Sequence, residues 1–205
     1  MIGIVDYGMG NIRSVSNVID YLGKDWAIVA NPSEIARCSH VLLPGVGAYE
    51  EAMVNLSSRN LVAPLQAHCA QGKPFLGICL GMQLLSSIGF EPKECAGLNI
   101  IPGKTVLMDE KLGYLLPHVG WNNLKRRRDH PVLLGIKSNV DFYFVHSYCV
   151  WPVEADCVIA TCDYSEEFNA IIGLNNVLGT QFHPEKSQSS GIKMLKNFCE
   201  WDGIC

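Results

Sequence analysis

Along the first half of the chain, short apolar runs alternate with stretches of helical spacing, the pattern of a parallel sheet covered by helices. Ile2 to Val5 reads as a first buried strand. Gly8-Met9-Gly10 turns the chain, and Ile12, Val15, Val18, Ile19 and Leu22 repeat at helical spacing until Gly23 offers a stop. Trp26 to Ala30 follows as a second strand. Asn31-Pro32-Ser33-Glu34 supplies a capping asparagine, a proline at the first helical position and a glutamate that reaches back, so a short helix is predicted there. Val41 to Leu43 is a third strand, ending in Pro44-Gly45-Val46-Gly47. Leu61 to Gln71 has helical spacing and stops at Gly72. Pro74 to Ile78 then gives a fourth strand that runs into Cys79, and Leu80 to Ser87 returns at once to helical spacing.

The second half changes character. Apolar stretches around 98–107, 114–124, 141–150, 157–161 and 168–182 are short and suit antiparallel strands. Asn175-Asn176 separates two of them, and asparagine tolerates the positive φ of a tight hairpin. Ile192, Leu195, Phe198 and Cys199 line one face of a final helix. No linker, repeat or low-complexity tract intervenes. The prediction is one α/β domain over 1–205, an open mixed, mostly parallel sheet flanked by helices with antiparallel strands in the second half.

Composition narrows this picture. A chain of 205 residues, 48% hydrophobic, buries roughly 70% of the surface its unfolded state exposes, so it needs neither metals nor disulfides to hold a core. A net charge of -4 argues against a nucleic-acid binder. Asp6 falls where a signal peptide would need a longer apolar run, and no apolar stretch reaches the roughly 18 residues of a membrane span. The nine cysteines are odd in number, without a Cys-x-x-Cys pair, which excludes complete pairing. A cytoplasmic protein with reduced thiols is expected, most of them small buried hydrophobes. No Cys/His set has zinc spacing, so no metal site is predicted.

One cysteine is set apart. Gly77-Ile78-Cys79-Leu80-Gly81 is the cysteine form of the elbow in which a nucleophile sits on a strained turn between strand and helix. Side chains at the flanking glycines would clash, and the free amides of a helix start favour negative charge on sulfur. Taken alone, the same residues fit a structural cysteine in an apolar turn. Cysteine chemistry also needs a base. Five of the six histidines, at 40, 68, 118, 130 and 146, have ordinary structural readings. His183, in Gln181-Phe182-His183-Pro184-Glu185-Lys186, follows an apolar strand and has an acid two residues on that can orient the imidazole. Gly45, Val46 and Gly47, at the same edge of the sheet, together with the Leu80 amide, offer donors for an oxyanion; by itself this is also an ordinary glycine turn. Gly8-Met9-Gly10-Asn11-Ile12-Arg13 begins like a dinucleotide loop but has Arg13 where the last glycine belongs. Lys125 to Arg128 reads as a solvated basic loop.

With Gly77 to Gln83 and Phe182 to Glu185, the sequence resembles the class I, or triad, glutamine amidotransferases over nearly its whole length. Within them it is most similar to the glutaminase subunits of imidazole glycerol phosphate synthases, through Val5 to Asn11, Leu43 to Ala48, Pro117 to Asn122, Tyr143 to Tyr148 and Gln181 to Ser187. The resemblance implies that Cys79 attacks the side-chain amide of glutamine, that His183 protonates the departing ammonia and then activates water, and that Glu185 orients His183. It implies oxyanion donors at Gly45, Val46, Gly47 and Leu80. Gln83, His146, Ser147 and Tyr148 would hold the amino-acid end of glutamine. No metal or organic cofactor is implied. The implied partner is a (β/α)8-barrel cyclase subunit in a heterodimer, which uses the ammonia to form imidazole glycerol phosphate and aminoimidazole carboxamide ribotide; the chain itself has no room for that second activity. Asn11, Trp121, Tyr143 and Lys186 would face this partner, although Trp121 and Tyr143 also fit core aromatics.

Three other readings stay open at this level. One is a paralogous amidotransferase feeding a synthase that amidinates a nucleotide sugar, since the second half matches less closely. Another is a catalytically silent partner-binding module, which has no need of an intact Cys79, His183 and Glu185. The last is a stand-alone cysteine hydrolase, active without a partner.

Overall fold

The structure is a computed structural model that describes residues 1–109 and 114–204. Its first half follows the alternation of apolar runs: β1 (Ile2–Val5), α1 (Ile12–Tyr21), β2 (Trp26–Val29), α2 (Pro32–Ile35), β3 (His40–Gly45), α3 (Tyr49–Ser58), α4 (Val62–Ala70), β4 (Phe75–Cys79) and α5 (Leu80–Gln83). The second half is mostly strands: β5 (Ile88–Phe90), β6 (Glu94–Ala96), β7 (Gly103–Leu107), β8 (His118–Asn123), β9 (Lys125–Arg126), β10 (Asp141–His146), β11 (Tyr148–Pro152), β12 (Val158–Asp163), β13 (Glu167–Leu174) and β14 (Val177–Thr180), closed by α6 (Gln188–Glu200).

Among the described residues the main sheet has eight strands in the order β2-β1-β3-β4-β14-β13-β12-β9. The strands from β2 to β14 pair in parallel and those from β14 to β9 antiparallel, as the sequence predicts. Period-two alternation sends Leu42, Leu76 and Ile78 into a core shared with α1 and α6. Val41, Leu43 and Phe75 point the other way, into a core with α2, α3 and α4. A four-stranded sheet (β11-β7-β5-β6) and the β8–β10 ribbon lie beyond this frame. The Asn175-Asn176 hairpin forms with Asn175 at φ 52°.

Two local expectations differ from what is found, and one helix has no counterpart in the sequence reading. The helix expected over Leu80 to Ser87 ends at Gln83 after one turn. Its last carbonyl, on Gln83, accepts from the Ser86 and Thr105 hydroxyls, while the Ser87 amide is drawn away to Gly103 O. Tyr49, Ala52, Met53 and Leu56 form the buried face of α3, a helix that the sequence reading passes over although these positions have helical spacing. The basic run is not a solvated loop. Lys125 and Arg126 pair with β12 as an edge strand, Lys125 and Arg127 reach Glu167, and Arg128 donates to Gly173 O.

Candidate active site

Register places the chemistry. Gly45 at the end of β3 lies opposite Cys79 at the end of β4, and Thr180 on β14 pairs with Ile78, so the residues after β14 emerge beside Cys79 at the C-terminal edge of the sheet. Cys79 has φ 54° and ψ -109°, a backbone state a side chain adopts only under strain. The flanking glycines are required. A Cβ on Gly81 would lie 1.8 Å from Leu43 O, and one on Gly77 would lie 2.4 Å from Gly81 O. The elbow read from sequence is thus present in shape as well as in composition.

Cys79 is 6% exposed. Its thiol points at Val145 O, 3.8 Å away, and Gln181 Nε2 donates toward the sulfur from 3.9 Å. His183, buried at the end of the following segment, is held by its backbone amide on Tyr143 O and by Nδ1 on Glu185 Oε1 at 2.8 Å. Both side chains of that pair are buried. With Nδ1–H on the carboxylate, Nε2 is the ring's open nitrogen, and it makes no hydrogen bond among the described residues. Burial opposes charge on His183, but Cys79 and Glu185 outweigh it and push the imidazole up to about 10. The arrangement sets a charged, carboxylate-held imidazole near a buried cysteine sulfur, the pairing that nucleophilic use of a cysteine requires.

The sulfur opens onto a cavity of about 230 Å³. Val46, Gly47 and Leu80 line it together with Gln83, His146, Ser147 and Tyr148, so three of the four residues expected to hold an oxyanion meet those expected to hold substrate, while Gly45 lies behind them at the end of β3 and is not part of the lining. Gly47 has φ +106°, which favours glycine in this turn. Gln83 commits its amide nitrogen to Tyr148 O at 3.0 Å and Gln181 Oε1 at 3.4 Å. His146 commits both ring nitrogens inside the protein, Nδ1 to Tyr148 O at 2.9 Å and Nε2 to His118 Nδ1 at 3.2 Å. Burial pushes His118 down to about 4 and His146 to about 3, so both are neutral at ordinary pH. His146 therefore shapes the wall and has no ring nitrogen left for a ligand.

Three further residues belong to the site and are missed by sequence reasoning. Glu91 is the one carboxylate among the lining residues; it accepts from Tyr49 N, and burial raises its pKa. Gln181 bridges Gln83 and Cys79, and His118 braces His146. Glu91 sits in a segment without a readable pattern, and Gln181 is marked only by its place beside Phe182-His183.

The four residues expected at an interface divide. Trp121 and Tyr143 face each other across the ribbon with ring centroids 5.8 Å apart, and Lys186 lies 5.7 Å over the Tyr143 ring. Trp121 is 47% exposed, so it is no core aromatic. Asn11 caps α1 by accepting from Ser14 N. Among the described residues no cluster of ligands could hold a metal, and no helix is long and apolar enough to cross a membrane.

A family model described as glutamine amidotransferase class-I matches residues 3–201. The chain belongs to that family. It is 46% identical over 196 residues to the "Imidazole glycerol phosphate synthase subunit HisH" of Aquifex aeolicus, covering 95% of this chain and 94% of that one. The protein of the same name from Caldanaerobacter subterraneus subsp. tengcongensis is 46% identical over 200 residues, with 98% of each chain covered. Among solved structures, a glutamine amidotransferase crystal structure superposes with a TM-score of 0.76 at 16% identity, covering 99% of both chains. PurLQS from Thermotoga maritima gives 0.74 at 15% identity, with 97% of both chains covered. These two likenesses concern the fold. The family membership makes the protein a glutamine amidotransferase, in keeping with a cysteine nucleophile at the elbow.

Proposed function

We propose that this chain is the glutaminase subunit of an imidazole glycerol phosphate synthase, acting in histidine biosynthesis in the cytoplasm. The observation that carries the chemistry is the convergence of Cys79, at a strained elbow, with the buried His183–Glu185 pair around a cavity of amino-acid size. The near-full-length relatives carry the histidine reading over the nucleotide-sugar alternative.

In this reading the Cys79 thiolate adds to the side-chain amide carbon of glutamine. The oxyanion is met by amides of the Gly45–Gly47 turn and of Leu80, a donor in such a place being worth about 3 to 4 kcal/mol. His183 gives its proton to the nitrogen, the C–N bond breaks, and ammonia leaves a glutamyl thioester. His183 then takes a proton from water as the hydroxyl adds to the thioester carbon, and breaking of the C–S bond releases glutamate and restores the thiolate beside the protonated His183. Glu185 holds the imidazole tautomer throughout. Glu91 suits the ammonium of the substrate's amino-acid end, with Gln83, Ser147 and Tyr148 lining the same cavity. Ammonia then passes to a (β/α)8-barrel cyclase docked on Trp121, Tyr143, Lys186 and Asn11, beside the exposed Val119 and Leu115.

The test measures glutamate release by the purified chain, alone and with a barrel cyclase and its nucleotide ligand. Release should be strong only in the complex and should fall to background in Cys79→Ala. Equal release by Cys79→Ala would discard the nucleophile, and full activity without a partner would discard the subunit reading.

A further inference from the structure

Tyr7, just beyond β1, is completely buried, and its hydroxyl makes no hydrogen bond among the described residues. The phenol stands against the turn that follows β3. A Cβ built on Gly45 would meet Tyr7 Oη at 2.5 Å, Leu80 Cβ at 2.9 Å and Gly81 N at 3.0 Å, so the hydroxyl fills the space that glycine leaves between this turn and the elbow. Burial raises the phenol above its ordinary range, and negative charge on Cys79 raises it further. Tyr7 is therefore a protonated donor at every working pH, within electrical reach of the nucleophile.

A buried hydroxyl without a partner is destabilising, and a phenylalanine would fill the same space without that cost. The turn beside it supplies a use. The N–H and C=O of a peptide unit point in opposite directions, so an amide of the Gly45–Gly47 turn aimed at an oxyanion turns its own carbonyl toward the protein, where it needs a donor. We propose that Tyr7 is a positioning residue of the oxyanion turn, its hydroxyl donating to a turn carbonyl while the amides on the other side hold the oxyanion. The bond forms as charge builds on the substrate and is absent at rest, which places its effect in the transition state. This inference rests on the glutaminase reading of the same site.

Glutamine hydrolysis by the parent and by Tyr7→Phe, each in complex with the barrel cyclase and its nucleotide ligand, tests it alongside thermal unfolding of each chain. The expected result is a kcat lower by about tenfold, a KM for glutamine within about threefold of the parent, and a Tm equal to or above it. A merely structural tyrosine would lower Tm and leave kcat in place. An unchanged kcat overturns the proposal, as does a loss carried by KM or accompanied by a Tm drop of several degrees. A parent complex that releases no glutamate overturns both this and the glutaminase reading, and is recognised because the parent itself fails.

Discussion

At the scale of single residues, Cys79 and His183 hold opposite tensions. Cys79 occupies a strained φ that its glycine neighbours make possible, and His183 keeps a charge that its burial opposes. The imidazolium owes its persistence to Cys79 and Glu185. Because the folded pKa of about 10 lies above the ordinary 6.5, the stabilisation is complete below about pH 6.5 and is lost as pH rises through 10. In thermal unfolding against pH, the Tm gap between the parent and His183→Gln should be widest on the acid side of that window and shrink to a constant remainder above it. A gap that widens with pH would contradict the charged imidazole. The elbow was legible in sequence because its constraint is local: Gly77 and Gly81 flank the cysteine in the chain as they do in space. Glu91 and Gln181 were not legible, because each meets the cavity or the sulfur through contacts across tens of residues that leave no spacing behind.

At the scale of elements, the β8–β10 ribbon joins the exposed Trp121 to the wall of the cavity. His118 and His146 face each other at its base, in register. His118 stacks on Tyr164 and Phe144 with centroids 4.0 and 5.1 Å away, which fixes its ring and lets its Nδ1–H donate to His146. Tyr148 O can only accept, so His146 carries its proton on Nδ1, and this N–H holds Tyr148 O together with Gln83 while Nε2 accepts from His118. His118→Phe keeps the stack and removes the donor. It should raise the KM for glutamine about five- to tenfold while kcat stays within about twofold, matching the loss of one buried hydrogen bond worth 1 to 1.5 kcal/mol. A KM unchanged in that variant would mean that the wall holds without the pair. Short-range patterns explain what could be read at this scale. Helical spacing locates α1, α4 and α6, yet it extends α5 too far, because the hydroxyl of Thr105 that ends it comes from another sheet. The spacing of Tyr49, Ala52, Met53 and Leu56 shows that α3 was within reach of the same rule.

At the scale of the whole molecule, the two cores lock the sheet from both faces, and the candidate site gathers at one edge, where the strands end and the backbone leaves the ladder. The change from parallel to antiparallel strands was legible in the shortening of the apolar runs; the strand order was not, since β14 crosses back between β4 and β13. The described cysteines are all free, and Cys205 lies outside the described residues. Burial raises the pKa of Cys38, Cys69, Cys95, Cys149, Cys157, Cys162 and Cys199. An electrophilic analogue of glutamine should therefore alkylate the Cys79 peptide first, with glutamine protecting it, as peptide mass spectrometry would report; labelling spread evenly over the thiols would count against a single activated sulfur. The place of β14 also sets an order in time. Its pairing with β4 joins residues about a hundred positions apart, a closure that is slow compared with local turns. A ribosome delivers Cys79 long before it delivers His183, so the growing chain holds the thiol without the base proposed for it until the last strand of the sheet slides into its slot.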